Sequence, residues 1–159
     1  MNIDNRFEIF CRMIEELDRS VYLIDEYDKL LHDYNGEVMF QAESQMIKMI
    51  GDFPGITASQ ISKKIGKSTS SSSQIIRKLK QKAWVRQTRN ELNSREYNLS
   101  LTEAGKRIYD KHRDFEQKCY NRTFEMLGDV TNEELESYIK IQKRLNKAFE
   151  MDVEESKDI

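Results

Sequence analysis

The chain has 159 residues, of which 34% are charged and 38% are apolar, and its formal net charge at pH 7 is −2. This length suits one domain with a modest core or a helical subunit completed by a partner, and a single proline favours long helices. The sequence has no run of eighteen apolar residues, no secretory signal pattern and too few cysteines for a disulfide framework. We therefore expect a cytoplasmic protein without a membrane span.

The N-terminal part of the chain has helical periodicity. Apolar residues recur at three- and four-residue spacing over 7–31, which predicts one long helix over about 4–34 with an apolar stripe along it. A stripe of this length needs cover, either from within the chain or from a second subunit. The pair Asn35-Gly36 is typical of a helix end, and a second, largely buried helix is predicted over about 41–51.

Two short helices joined by a glycine turn follow. Thr57 and Gln60 have the spacing of a capping box, in which a hydroxyl and a side-chain amide satisfy backbone groups at a helix start. We expect that helix to end near Ile65, with Gly66 in the turn. Ser68 is then expected to cap the next helix, which extends to about residue 82.

The remaining elements are a hairpin and two more helices. Strands are predicted over 84–88 and 97–101, because apolar and polar side chains alternate there as in a half-buried hairpin. A long helix is expected over 103–126, and a last helix begins at Thr131 and precedes an acidic tail from Asp152. Its apolar residues, Leu135, Tyr138, Ile141, Leu145 and Phe149, are expected to point inward. The predicted fold class is mainly α with a small β-hairpin wing, a winged helix-turn-helix domain flanked by long helices.

Positive charge is concentrated in residues 57–102. Ten lysines and arginines stand there against two glutamates, which gives +8, whereas the rest of the chain carries −10. Such a basic module is typical of a surface that meets a polyanion, although a lysine-rich helix face is often simply solvated. In a winged helix-turn-helix the second helix enters the major groove. The combination indicates double-stranded DNA as a partner.

The start of that second helix is the first candidate DNA contact. By composition its serine run also suits a flexible linker, but the apolar residues after it keep helical spacing. Small hydroxyl side chains let backbone N–H groups approach phosphates closely, and the longer Gln74 and Arg77 suit adenine and guanine or phosphate. The residues predicted to contact DNA here are Ser68, Thr69, Ser70, Ser71, Ser72, Ser73, Gln74, Arg77 and Lys78.

The loop of the predicted hairpin is the second candidate DNA contact. Polar turns are commonly rich in Asn and Ser for backbone reasons alone. An arginine at a hairpin tip beside a helix-turn-helix can instead reach the adjacent minor groove, where narrow A·T-rich tracts attract it. The residues predicted to contact DNA from this loop are Arg89, Asn90, Asn93, Ser94 and Arg95.

Residues 56–105, and above all the run 93–105, resemble the MarR family of bacterial transcriptional regulators. The wing of that family typically reads Asp-x-Arg, a short strand, and then Leu-Thr-x-x-Gly, and residues 101–105 match the last of these. Two positions depart from the pattern. Asn93 stands where the family usually has aspartate, which weakens any charge pairing in the wing, and Ala83 stands where a helix-ending glycine is usual.

The resemblance implies a homodimer in which the N-terminal helix and the last two helices of each subunit interlock. The expected organisation is an N-terminal dimerisation helix (1–35), a winged helix-turn-helix DNA-binding module (36–102) and C-terminal dimerisation helices (103–159). Two such modules bind half-sites about one helical turn apart, so a pseudo-palindromic operator is expected. The expected function is sequence-specific transcription regulation, such as repression, and not catalysis, because the sequence lacks phosphate-loop and catalytic motifs.

The resemblance also implies a signal that changes DNA affinity. Small aromatic effectors commonly bind in this family between the dimerisation helices and the winged module. Thiol-based redox sensing through Cys11 and a helical protein-interaction module are the alternatives. No cofactor or metal is expected, because His32 and His112 are the only histidines and neither belongs to a compact ligand cluster. The candidate effector residues are Arg12, Arg19, Tyr22, Tyr27, Tyr34 and Phe40, although aromatic residues at helical spacing are usually core.

Overall fold

The computed structural model of the protein describes residues 5–66, 68–91, 93 and 95–157. The chain divides into two compact units, Met1–Gln117 and Lys118–Ile159. In the described part, no helix combines the length and apolar character needed to cross a bilayer. The elements in chain order are α1 (Asn5–Asp28), β1 (Leu31–Asp33), β2 (Val38–Phe40), α2 (Gln41–Asp52), α3 (Ala58–Ile65), α4 (Thr69–Gln81), β3 (Val85–Arg89), β4 (Tyr97–Leu101), α5 (Glu103–Met126) and α6 (Asn132–Ser156).

The first helix ends at Asp28, earlier than predicted, and β1 and β2 form an antiparallel hairpin in its place. Asn35 and Gly36 lie in the hairpin turn with φ of 53° and 92°, so this pair is a hairpin turn and not the helix end that was predicted. The physical reason is Tyr34, whose side chain is completely buried. Its ring lies 4.8 Å from that of Phe115, measured between centroids, so leaving the helix lets Tyr34 enter the core.

The core is formed by the β1–β2 segment, α2, the helix-turn-helix, the wing strands and the first part of α5. His112 belongs to it, because the residue is only 3% exposed and burial lowers the pKa of its imidazole. The imidazole is therefore neutral at pH 7 and packs against Tyr34, with ring centroids 5.3 Å apart. The buried apolar residues are Tyr34, Met39, Met46, Ile47, Ile50, Ile56, Ile61, Ile76, Leu79, Val85, Leu99, Leu101 and Ile108.

The helix-turn-helix has the predicted caps. Thr57 Oγ1 accepts a hydrogen bond from Gln60 N, and Gln60 Oε1 accepts one from Thr57 N, which completes the capping box. Gly66 ends α3 in the left-handed conformation, with φ of 64°. Ser68 Oγ accepts from Ser71 N at 3.2 Å and starts α4. Local hydrogen bonds therefore set the ends of both helices.

Ala83 adopts the left-handed conformation that its position requires, with φ of 56°. Trp84 N donates to Leu79 O and Ala83 N donates to Lys80 O, at 3.0 and 2.9 Å, which is a Schellman motif at the end of α4. Thr102 Oγ1 also donates to Ala83 O at 2.7 Å. The turn is thus as tight as a glycine turn, and the alanine methyl group is accommodated at the cost of backbone strain.

Helices α1 and α6 bury none of their residues in this chain. On α1, Phe10 is 41% exposed, and on α6 the side chain of Ile141 is 44% exposed. The expectation that Tyr138, Ile141 and Phe149 point inward is therefore wrong for a single chain. Helix α6 also continues to Ser156, past the predicted start of an acidic tail. Their apolar stripes are available to another surface.

Candidate nucleic-acid interface

Helix α4 has one buried face and one exposed polar face. Ile76 and Leu79 are buried against the core and set the orientation of the helix. The helix contains no acidic residue. Its exposed face therefore presents hydroxyl groups at the N-terminal end and cationic side chains further along, a chemistry that suits phosphates and base edges. The exposed predicted residues on this helix are Thr69, Ser70, Ser73, Gln74, Arg77 and Lys78.

Ser72 is a correction to the predicted contact set. Its side chain is completely buried, and Ser62 Oγ on α3 donates to Ser72 Oγ at 2.9 Å. The hydroxyl thus joins the two helices of the motif and does not reach the surface. Ser71 is half-buried, whereas the cap residue Ser68 is exposed with its Oγ 3.2 Å from Ser70 Oγ.

The wing is an antiparallel hairpin whose pairs extend from Val85–Leu101 to Arg89–Tyr97. Arg89 stands at the tip end of β3, Arg95 lies in the loop, and both are exposed. Ser94, also predicted to contact DNA, lies outside the described residues. The two arginines therefore flank a polar tip, as the sequence predicted.

Amide side chains close that tip. Asn90 Nδ2 donates to Asn98 Oδ1 across the hairpin at 2.8 Å, and Asn90 Oδ1 accepts from Asn93 N at 2.9 Å. Asn93 Oδ1 accepts from Arg95 N at 3.1 Å. The side chain at position 93 thus holds the backbone of the tip by one neutral hydrogen bond, in place of the charge pairing that an aspartate would supply.

The wing is attached to the segment that leads into α3. Gly55 N donates to Leu99 O at 2.8 Å, Leu99 N donates to Ile56 O at 3.0 Å, and Thr57 forms a β-bridge with Asn98. These bonds hold the middle of β4 beside the helix pair.

Two side chains that sequence reasoning missed connect the tip to α3. Ser59 Oγ donates to Glu96 Oε1 at 2.5 Å. The residues are 37 positions apart in the chain; Ser59 lies inside the Thr57–Gln60 capping box and Glu96 in the run 93–105, but neither motif predicts that the two side chains meet.

A small cavity of about 120 Å³ joins α4 to the wing. Ser73, Arg77 and Lys80 line it from the helix and Gln87 lines it from β3. Lys80 Nζ also donates to Gln87 Oε1. The exposed face of α4 and the first wing strand therefore form one continuous polar surface, to which Lys80 and Gln87 contribute although neither was among the predicted contacts.

The candidate effector residues are mostly at the surface. Arg12, Arg19, Tyr22 and Tyr27 are exposed on α1, and Phe40 is exposed where β2 meets α2. Tyr34 is instead part of the core. Cys11 is half-buried, and in the described part of the chain no three His, Cys, Asp or Glu side chains are grouped closely enough to hold a metal ion. The effector pocket stays a prediction.

Comparisons with known proteins agree with this architecture. Residues 41–96 match a family model described as MarR family. The chain is 26% identical over 145 residues to the uncharacterized HTH-type transcriptional regulator YhjH of Bacillus subtilis, covering 85% of this chain and 83% of that protein. Among solved structures it is similar to the MarR family transcription regulator SP03579, with a TM-score of 0.76, 17% identity and coverage of 92% and 95% of the two chains. It is also similar to Streptococcus pneumoniae FabT in complex with DNA, with a TM-score of 0.64, 20% identity and coverage of 91% and 97%.

Proposed function

Because this chain belongs to the MarR family of DNA-binding transcriptional regulators, we propose that it acts as a homodimer on a pseudo-palindromic operator and that a small effector changes its affinity. One observation carries the operator proposal. The exposed face of α4 and the first wing strand form a continuous polar surface that carries Arg77 and Lys80, within a segment of net charge +8 in a chain of net charge −2. Positive charge concentrated in this segment attracts a polyanion.

The elements of this surface have separate roles in the proposal. The N-terminus of α4 approaches a phosphate through its backbone N–H groups, which Thr69 and Ser70 leave accessible because their side chains are small. Gln74 and Arg77 extend from the exposed face toward base edges in the major groove. Lys78 neutralises phosphate, and Arg89 and Arg95 reach the adjacent minor groove from the wing.

The dimer proposal is supported by the exposed apolar stripes of α1 and α6. A single chain leaves large side chains such as Phe7, Phe10 and Tyr138 in water, which is unfavourable in proportion to the apolar area exposed. A second copy that covers these stripes removes that cost and holds two winged modules at a defined spacing. The effector proposal is supported by aromatic and cationic side chains side by side on α1, such as Arg19 and Tyr22, which suit a small aromatic acid.

Footprinting and titration on the DNA upstream of the protein's own gene test the proposal. We expect protection of an inverted repeat with half-sites about one helical turn apart. The binding constant should fall steeply as salt rises, because each neutralised phosphate releases a counterion. Two results would favour the helical protein-interaction module instead. One is that no promoter fragment binds at low salt. The other is that the protein binds polyglutamate and duplex DNA does not displace it.

Substitution of Arg95 by alanine tests the wing. We expect Arg95→Ala to weaken operator binding about tenfold, because one arginine contact in a groove contributes about 1–3 kcal/mol, while the dimer and the thermal unfolding midpoint stay unchanged. Arg86→Ala is the matched control: it removes an exposed arginine of the same hairpin whose Nε donates to Ser100 Oγ. Fluorescence anisotropy with labelled operator measures both. Equal losses in the two variants would show that only net charge matters.

A further inference from the structure

Glu96 is an acidic residue in the basic segment 57–102, next to Arg95 at the wing tip. By charge alone it opposes DNA binding, since it stands among groups that attract phosphate. Its placement indicates a different role. Glu96 is half-buried, and its carboxylate accepts a hydrogen bond from Ser59 Oγ in the first turn of α3. Bonds from a neutral hydroxyl to a carboxylate are among the stronger hydrogen bonds in proteins.

The backbone on both sides of Arg95 is held. On one side, Arg95 N donates to Asn93 Oδ1 at 3.1 Å. On the other, Glu96 N donates to Asn93 O at 3.0 Å and Glu96 O accepts from Asn90 N at 3.1 Å. The contact with Ser59 then ties this closed tip to the helix pair. The side chain of Arg95 remains exposed at the end of a fixed frame.

Such a frame matters because a two-stranded hairpin is marginally stable by itself. The bonds of Gly55 and Ile56 with Leu99 hold the middle of β4, whereas Arg95 lies in the loop, before β4 begins at Tyr97. A tip that moves relative to α4 must be immobilised when DNA binds, and that ordering reduces affinity. A tip already tied to α3 avoids most of this cost.

We infer that Glu96 is a positioning residue that aims Arg95 at DNA by fastening the wing tip to Ser59. The inference rests on the proposed function and adds to it a role for an acidic side chain. On this inference the Glu96 side chain raises the affinity for DNA, although its negative charge alone would lower it. The side chain acts through Arg95 and touches no nucleotide.

Operator titrations with three variants test the sign of the effect. Glu96→Ala should bind about fivefold more weakly than the unchanged protein, because the tip is no longer fixed to α3 and must be ordered on binding, although the substitution removes a negative charge. Glu96→Gln keeps an acceptor for Ser59 and should bind as tightly as the unchanged protein or more tightly. Ser59→Ala should reproduce the loss seen in Glu96→Ala without any change of charge.

Glu91 provides the matched control. It is the other acidic residue of segment 57–102 and is exposed on the wing. Glu91→Ala should bind DNA slightly more tightly, as expected when a repelling charge is removed. If Glu96→Ala behaves like Glu91→Ala, charge governs both positions and the inference is overturned.

The double variant with Arg95→Ala separates positioning from a general loss of structure. If Glu96 acts through Arg95, adding Glu96→Ala to Arg95→Ala should weaken binding no further. Full additivity of the two losses of DNA affinity would overturn the inference. It would also be overturned if Glu96→Ala and Ser59→Ala weakened DNA binding equally and both lowered the unfolding midpoint, because the loss would then be one of general structure. If Arg95→Ala weakens binding and Glu96→Ala does not, only this inference fails. If the unchanged protein binds no duplex DNA, both the proposed function and this inference fail.

Discussion

The winged module and the terminal helices cover their apolar side chains in opposite ways. In the module, Ile61, Leu79 and Leu99 are completely buried by residues of the same chain. In α1 and α6 no residue is buried, although their apolar side chains recur with the same helical period. Periodicity thus shows that a helix has an apolar face and does not show what covers that face. We expect the module to be stable within one chain and the terminal helices to depend on association, so that their stability varies with protein concentration.

The largest effect should come from a charge on the exposed stripe of α6. In an isolated chain Ile141→Glu is an exposed substitution with little consequence. In a dimer that buries this stripe, the carboxylate loses its water, and the subunits separate. DNA affinity should then fall more than about a hundredfold, because two linked half-site contacts become independent. Analytical ultracentrifugation gives the dimer constant, and anisotropy with operator DNA gives the affinity.

Lys140→Glu is the control for this experiment. It changes the neighbouring exposed residue of α6 and alters net charge by twice as much. We expect the dimer of Lys140→Glu to remain intact. If Ile141→Glu also remains dimeric, α6 is not the covered surface and the comparison between the two regions is broken.

The second effect concerns the inside of the module. Gly105, in the first turn of α5, lies so close to the residue before β3 that an added Cβ would be 2.0 Å from Trp84 O. Trp84 O belongs to the backbone and the Cβ is fixed to the helix, so Gly105→Ala forces α5 away from Trp84 and should lower the free energy of unfolding by about 3 kcal/mol. Urea denaturation at two protein concentrations checks whether this loss is the same at both, as expected for a region that packs within one chain.

Gly51→Ala is the corresponding control. Its added Cβ would lie 2.4 Å from Tyr109 Cδ2, so the ring of Tyr109 must shift, but the opposing atom belongs to a side chain and not to the backbone, and alanine also favours the helix. We therefore expect a smaller loss of stability than for Gly105→Ala. A larger loss for Gly51→Ala than for Gly105→Ala would mean that the contact of α5 with the wing is not what holds the module together.

The parts of the fold that were predictable are those with local signals. The caps at Thr57 and Ser68 and the glycine turn between them depend on residues only a few positions apart, and the structure has them as predicted. The β1–β2 hairpin was not predicted, because Asn35-Gly36 suits both a helix end and a hairpin turn. The burial of Tyr34 decides between these, and that depends on residues of α5 more than seventy positions away.

The candidate site divides in the same way. The exposed arginines of the wing and the polar face of α4 follow from composition and helix period. Consecutive serines are identical side chains, but Ser72 lies four residues before Ile76 and seven before Leu79, so the helical period of these buried residues already places it on the buried face, and the predicted contact set did not use that signal. The contact of Ser59 with Glu96 is a tertiary contact, and no local pattern in the sequence predicts it.

The smallest effect should come from the strained turn at the end of α4. Ala83 holds φ of 56°, and for an L-residue this conformation costs about 1–2 kcal/mol relative to the ordinary helical one. Glycine adopts it freely but loses more conformational entropy on folding, which offsets part of the gain. Ala83→Gly should therefore raise the free energy of unfolding by about 1 kcal/mol, measured by urea denaturation, and leave the dimer constant unchanged.

Asn35 supplies a matched position for that experiment, since it also has a positive φ, 53°, in the turn of the β1–β2 hairpin. Asparagine tolerates the left-handed conformation far better than alanine does, and Asn35 Nδ2 donates to Lys111 O at 3.3 Å, a bond that glycine removes. Asn35→Gly should therefore leave stability unchanged or lower it slightly. Equal gains at both positions would attribute the effect to glycine itself and not to strain at Ala83. If Ala83→Gly raised the free energy of unfolding only at high protein concentration, the stability of this turn would depend on subunit association. The winged module would then not be stable within one chain.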